Sequence, residues 1–254
     1  MRIAITRQVS PQIGQCELTH LERQVIDVEL ARRQHHQYEE ALAALGCQVH
    51  CLPVEPNLPD SVFVEDTAVV LDEMAIITRP GADSRKPETA SIARALEPYR
   101  QLYTITAPGT VDGGDVLCLG KTIYVGLSTR SNQPAVDQMM VFLKPYGYIV
   151  KGVNVSGCLH LKSAVTQVAD NTLLINPEWV EMEIFKGMYF IEVDPSEPYG
   201  ANALLIGNNI IYPSSYPRTR RRLEDYGLSV KTVDVSELIK AEGAVTCCSL
   251  VFKG

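Results

Sequence analysis

The feature that most constrains this chain is a recurrence. Five times a polar or glycine-rich knot precedes a short apolar run of strand character and a tight turn. The knots are Glu65-Asp66, Asp112-Gly113-Gly114-Asp115, His160-Leu161-Lys162, Tyr199-Gly200-Ala201-Asn202 and Cys247. Successive steps from Asp66 through Asp112, His160 and Asn202 to Cys247 are 46, 48, 42 and 45 residues. In the first four a second apolar run follows the turn, as in TAVVLDEMAIIT and VLCLGKTIYVGL; after the fifth, CSLVF, the chain ends. A fixed period of this length marks a repeat architecture, whose units bury their apolar faces against one another. The 254 residues would allow one large domain or two small ones, and the recurrence favours one domain over 1–254. The expected fold is α/β: five ββαβ-type modules with five-fold pseudosymmetry about a central axis, closing like a propeller.

Helix signals fall between the hairpins. Asp27 is placed to cap a long helix running to Leu45, with Gly46 as its stop. Pro87, Pro134 and Pro217 stand where a first helical turn would begin. Ser236 is placed to cap a short last helix. If the knots hold equivalent places in their modules, Asp66, Asp112, His160 and Cys247 converge on one axis.

Composition narrows the function. A net charge of -7 argues against nucleic acid or an anionic membrane as partner, since both want a basic face. Arg218, Arg220, Arg221 and Arg222 are followed by Glu224 and Asp225, which reads as a solvated helix face. No run approaches the roughly 20 apolar residues of a membrane span, and the N-terminal residues lack a signal-peptide pattern, so cytoplasmic residence is expected. Seven cysteines without a CxxC pair argue against a disulfide framework. Cys47 and Cys51 flank His50, but no second ligand pair stands at zinc spacing, and buried free cysteines in a strand explain them better.

The knots carry the chemistry. A cysteine is usually a small core residue, yet Cys247 and Cys248 cannot readily pair with each other, and Cys247 heads a module. A nucleophilic thiol needs a proton shuttle. His160, also at the head of a module, can supply it, and Asp112 can hold the imidazole in a useful tautomer. The Gly113-Gly114 step would let the backbone turn tightly. Taken alone, DGGD fits a surface turn or a calcium-type loop as well. Glu65 and Asp66, straight after an apolar run, are costly to bury unless a cation meets them, and a guanidinium would pair directionally. An exposed strand end would explain them at no cost.

The segments LPDSVFVEDTAVV, ITRPGADSRKPE, VDGGDVL, VGLSTRSNQ, GCLHLKSAV and GAVTCCSLVF resemble those of dimethylarginine dimethylaminohydrolases. That family belongs, with arginine deiminases and amidinotransferases, to the five-module guanidine-modifying α/β propellers of the pentein fold. The resemblance runs in order from about residue 3 to residue 252. It implies that Cys247 is the nucleophile, His160 the general acid and base, and Asp112 the carboxylate that orients His160. It implies that Asp66, with Glu65 beside it, clamps the guanidinium. It makes Asp60 a polar substrate contact and gives the substrate α-carboxylate to Arg85 and Arg130. Leu18, on a loop that closes the site, and Ala241 would offer backbone carbonyls at the α-amino end. The implied reaction hydrolyses mono- and asymmetric dimethylarginine to citrulline plus methylamine or dimethylamine through a covalent thiouronium. No cofactor is implied; a zinc ion at Cys247 and His160 would be inhibitory. The expected protein is a monomer or homodimer. The competing readings are another guanidine hydrolase, such as an arginine or agmatine deiminase, or an amidinotransferase; a non-catalytic module binding arginine-like ligands; and, least in keeping with a C-terminal cysteine, a papain-like protease.

Overall fold

The computed structural model describes all 254 residues and resolves the recurrence into five three-stranded sheets. In chain order the strands are β1 (Arg2–Arg7), β2 (Cys47–Leu52), β3 (Ala68–Val70), β4 (Met74–Ile77), β5 (Gln101–Thr104), β6 (Val116–Leu119), β7 (Thr122–Leu127) and β8 (Ile149–Asn154). They continue with β9 (Val165–Ala169), β10 (Thr172–Ile175), β11 (Tyr189–Glu192), β12 (Leu204–Ile206), β13 (Asn209–Pro213), β14 (Ser229–Val233) and β15 (Leu250–Lys253). Four sheets are consecutive triplets: β3-β4-β5, β6-β7-β8, β9-β10-β11 and β12-β13-β14. In each, a hairpin joins an antiparallel pair and a crossover adds a parallel third strand. The fifth sheet, β15-β1-β2, repeats the pattern with strands from opposite ends of the chain. The second strand missing after CSLVF is therefore β1, with Ile3 opposite Phe252.

Parallel neighbours need a long crossover. It is supplied by α1 (Val28–Ala44), α2 (Thr89–Leu96), α3 (Gln133–Leu143) and, after a four-residue α4 (Leu161–Ala164), α5 (Pro217–Asp225). The third module, β9 to β11, departs from ββαβ: a single 3-10 turn, Met182–Ile184, stands where the helix would be. Asp27 caps α1 as expected, its side chain accepting from Leu30 N at 3.0 Å, and Gly46 follows the helix at φ +86°. Ser236 does not cap the last helix, α6 (Ser236–Ile239); Val235 holds that position, and the Ser236 hydroxyl accepts from Gln34 Nε2 at 2.8 Å. The last strand opens at Leu250, so Cys247 and Cys248 lie in the preceding turn.

Each apolar cluster sits at a seam between neighbouring modules. Ile3, Ile5, Leu250 and Phe252 pack with Ile77, Ile92 and Leu96. Met74 and Ile76 pack with Val116, Ile123 and Met139. Leu117 and Tyr124 pack with Leu161, Leu173 and Phe185, and Val168 and Leu174 pack with Ile210 and Tyr212. Ile206 and Ile211 complete the circle against Ala4, Tyr38 and Leu42. Five seams between five modules close the ring and leave its centre to polar side chains. No helix is long and apolar enough to cross a membrane. All seven cysteines are free; Cys47 is buried and Cys51 exposed. Four residues apart on an extended strand, those two lie about 13 Å apart.

Candidate active site

The knots meet because their backbones touch. Glu65 N donates to Cys247 O at 3.1 Å, which ties the first knot to the fifth. Gly114 N donates to Asp66 Oδ1 at 2.9 Å, tying the second to the first. A Cβ on Gly113 would stand 1.9 Å from Glu65 O. One on Gly114 would stand 2.5 Å from His160 Nδ1 and 2.9 Å from Asp66 Oδ1. Neither glycine has a positive φ. The glycine pair is required by close approach, not by the tight turn expected from the sequence.

His160 is held between carboxylates. Its Nε2 lies 3.1 Å from Asp112 Oδ2 and its Nδ1 3.9 Å from Asp66 Oδ1, all three side chains buried. Burial works against a charged imidazole, but Asp66, the hydrogen-bonded Asp112 and Asp115 raise its pKa to about 9. Asp66 moves the opposite way: His160 and Arg85 outweigh its burial and lower it to about 2. The pair is an imidazolium beside a carboxylate. Asp112 also accepts from Gly81 N at 2.9 Å, which fixes the second oxygen.

Cys247 is buried, and its thiol is pushed well above the ordinary cysteine range by burial, then by Glu65 and Asp66. It lines a narrow cavity with Asp60, Asp66, Arg85, Arg130, His160 and Ala241. Cys248 turns away, its sulfur toward Ala244 O at 3.5 Å. The two adjacent cysteines are thus told apart by direction.

The remaining expected residues divide. Asp60 borders the cavity and accepts from Glu17 N at 3.1 Å. Arg130 borders it with Nη2 on Thr19 Oγ1 at 3.1 Å and Nη1 3.8 Å from Asp112. Arg85 faces inward: Nη1 donates to Asp66 at 2.6 Å, Nε and Nη2 to Glu88, and Nη2 also to the carbonyls of Phe63 and Asp60. Of its five donors, one Nη1 hydrogen is left for a ligand. Glu65 does not join Asp66 at the cavity. It pairs with Lys162 at 2.5 Å and accepts from Thr246 Oγ1 at 2.8 Å, and it borders a separate pocket with Val116 and Leu250. Leu18 is half-buried against the core beside Glu17, which does line the cavity. The side chains whose donor atoms crowd within 4.8 Å of one another are Asp66, Asp112 and His160. Cys247 is not among them, and Arg85 and Arg130 already meet the carboxylates' charge.

Sequence reasoning passed over several supports. Asp115 accepts from Leu161 N at 2.9 Å and from the hydroxyls of Ser128 and Ser131 at 2.6 Å, anchoring the residue after His160. Lys162 answers Glu65, and Asn202 binds Thr246 at 2.9 Å, so the fourth knot supports the fifth. Asp115, Lys162 and Asn202 stood inside the knots already singled out, and Glu88 closes the segment ITRPGADSRKPE.

Fold and site together define a five-module α/β propeller with a cysteine, a histidine and carboxylates at its axis. A family profile described as "N,N dimethylarginine dimethylhydrolase, eukaryotic" matches residues 13–186. The chain is 40% identical over 251 residues to the N(G),N(G)-dimethylarginine dimethylaminohydrolase of Streptomyces coelicolor, covering 97% of this chain and 95% of that one. It is 37% identical over 228 residues to the Pseudomonas aeruginosa protein of the same name, covering 89% and 90%. A solved structure of the Pseudomonas aeruginosa protein, a cysteine-to-serine mutant complexed with citrulline, superposes with a TM-score of 0.94 at 35% identity, covering 98% of each chain. The N-terminal domain of a cyanobacterial arginine dihydrolase shares the fold, with a TM-score of 0.89 at 18% identity, covering 98% of this chain and 97% of that one. The chain belongs to the dimethylarginine dimethylaminohydrolase family.

Proposed function

We propose that the chain, acting as one catalytic domain over 1–254, hydrolyses Nω-methylated arginines to citrulline and methylamine or dimethylamine. One observation carries this reading. A single narrow cavity brings a thiol, an imidazolium and a buried carboxylate together with Arg130 and Asp60. A ligand with a guanidinium at one end and an amino acid at the other matches both sets. The relatives named above support the substrate class; one is a protein solved with citrulline.

In the proposed mechanism, Asp66 pairs with the substrate guanidinium and keeps it protonated. Arg130, with the spare hydrogen of Arg85, takes the α-carboxylate; Asp60 and the carbonyls of Leu18 and Ala241 take the α-amino group. Glu65 acts from behind, fixing the first knot through Lys162 and Thr246. His160 already carries a proton, so the Cys247 proton leaves to solvent as the incoming cation offsets Glu65 and Asp66. The sulfur attacks the guanidinium carbon. His160 protonates the methylated nitrogen as its bond to carbon breaks, and an S-alkylthiouronium remains. Neutral His160, oriented by Asp112, then takes a proton from water. The water oxygen adds to the carbon, the C–S bond breaks with its electron pair on sulfur, the remaining hydroxyl proton passes to the Cys247 thiolate, and citrulline departs. The same reading makes this a cytoplasmic enzyme, monomeric or dimeric.

The test is release of the ureido product by wild-type protein and Cys247→Ser: citrulline from mono- and asymmetric dimethylarginine and from arginine, carbamoylputrescine from agmatine. Citrulline from the methylarginines alone, with a loss of at least about 10³-fold in the mutant, is the expected result. Preference for arginine or agmatine, or an active Cys247→Ser, refutes it.

A further inference from the structure

We infer that Glu242 is a positioning residue for the α-amino end of the substrate. The inference rests on the methylarginine reading and extends it to a residue outside the set that reading invokes. Glu242 is the one non-glycine residue with a positive φ, +57°. L-residues reach this region only against a steric clash of Cβ with the backbone. The next residue, Gly243, is pressed so close to the Phe63 ring that a Cβ would stand 2.2 Å from it. The backbone is thus wedged at 241–243, and the left-handed turn sends the Glu242 carboxylate across to the N-terminal part of the chain.

There it meets three consecutive amides. Thr19 N donates to Oε1 and Oε2 at 3.1 and 3.0 Å, His20 N to Oε1 at 2.5 Å, and Leu21 N to Oε1 at 2.6 Å. Successive N–H groups converging on one carboxylate form an anion-binding concavity, here filled by a residue more than 220 positions away in sequence. The same segment is tied on its other side by Asp60, through Glu17 N, and by Arg130, through Thr19 Oγ1. Leu18 lies between these anchors. Its carbonyl and that of Ala241, the neighbour of Glu242, are the two proposed to meet the substrate ammonium. One side chain therefore fixes the spacing of both carbonyls. A small cation gains from two acceptors only when they are held in place before it arrives.

Two measurements test this. The first is hydrogen exchange at the Thr19, His20 and Leu21 amides in ligand-free protein, for wild type, Glu242→Gln and Glu242→Gly. Glycine keeps the left-handed backbone and removes only the carboxylate, so it separates the side chain from any misfolding. Exchange should quicken about tenfold or more in Glu242→Gly and less in Glu242→Gln, which keeps one acceptor. Unchanged exchange overturns the inference even if the substrate reading is wrong. The second compares monomethylarginine with its analogue lacking the α-amino group. In Glu242→Gly, KM for monomethylarginine should rise about tenfold with kcat within about threefold, while kcat/KM for the analogue stays at its wild-type value. Equal losses on both substrates, or a loss confined to kcat, overturn it. Absence of wild-type turnover strikes the substrate reading alone.

Discussion

Both ring nitrogens of His160 face carboxylates, and that arrangement fixes where its proton sits. The folded-state pKa, about 9, lies above the ordinary imidazole value of 6.5. The native state therefore binds this proton more tightly than the unfolded chain does. The resulting stability is complete below about pH 6.5 and is lost as pH rises through about 9, in an amount on the order of 3 kcal/mol. Urea unfolding of wild type between pH 6.5 and 9.5 should show this decline, and His160→Asn should flatten it; an identical slope in both proteins would refute the pairing. The same titration removes the acid proposed above for the departing amine. Cys247 holds its proton as well, kept a thiol by burial and by Glu65 and Asp66.

At the scale of elements, what matters is how closely the knots are pressed together. Gly113 is the tightest point, since its missing Cβ would fall 1.9 Å from a backbone oxygen that cannot rotate away. Gly113→Ala must displace Glu65, and with it Asp66 and the Cys247 carbonyl. A loss of kcat/KM of about a hundredfold or more is expected, whereas Gly147→Ala, with nothing near its Cβ, should cost stability only through its φ of +76°. Near-wild-type kcat/KM in Gly113→Ala would show that the knots are not rigidly coupled. These contacts also explain what was legible in the sequence. The knots and hairpins stood out because their polar-then-apolar signature recurs at a fixed spacing. The third strands β5, β8, β11 and β14 did not, because they are outer strands of their sheets, largely half-buried or exposed, and lack an apolar run. The inward turn of Arg85 and the separation of Glu65 from Asp66 were equally hidden. Adjacent residues in a 3-10 turn point to different places, and no spacing rule says which one faces the axis. Glu242 was invisible for a further reason: its partners are backbone amides, which any sequence supplies.

For the molecule as a whole, stability lies in the seams and chemistry at the axis. The seam made by the chain ends is the one that tertiary structure alone must close. Phe252 is buried there, edge-on to Tyr99 at 5.5 Å and beneath the Arg100 guanidinium. Phe252→Ala should cost about 3–5 kcal/mol, lowering the thermal midpoint by roughly 10 °C; a shift under about 2 °C would mean the ring holds without this seam. Because Leu250 follows Cys247 by three residues, loosening this strand should also blur the cysteine's position.

The junction of the two ends has one more consequence. β15 and β1 lie antiparallel, and Gly254 N donates to Met1 O at 2.9 Å. The ends therefore meet where each of the other four modules has a hairpin turn: Leu71–Glu73, Gly120–Lys121, Asp170–Asn171 and Gly207–Asn208. Topologically the ring has no first module; the β15–β1 junction is one of five equivalent positions. A circular permutant with the ends joined by a short linker and a cut at another of these turns keeps every strand pairing. It changes only which knot is synthesised last; a cut at Gly207–Asn208 would place Cys247 first and Asp66 and Asp112 after it.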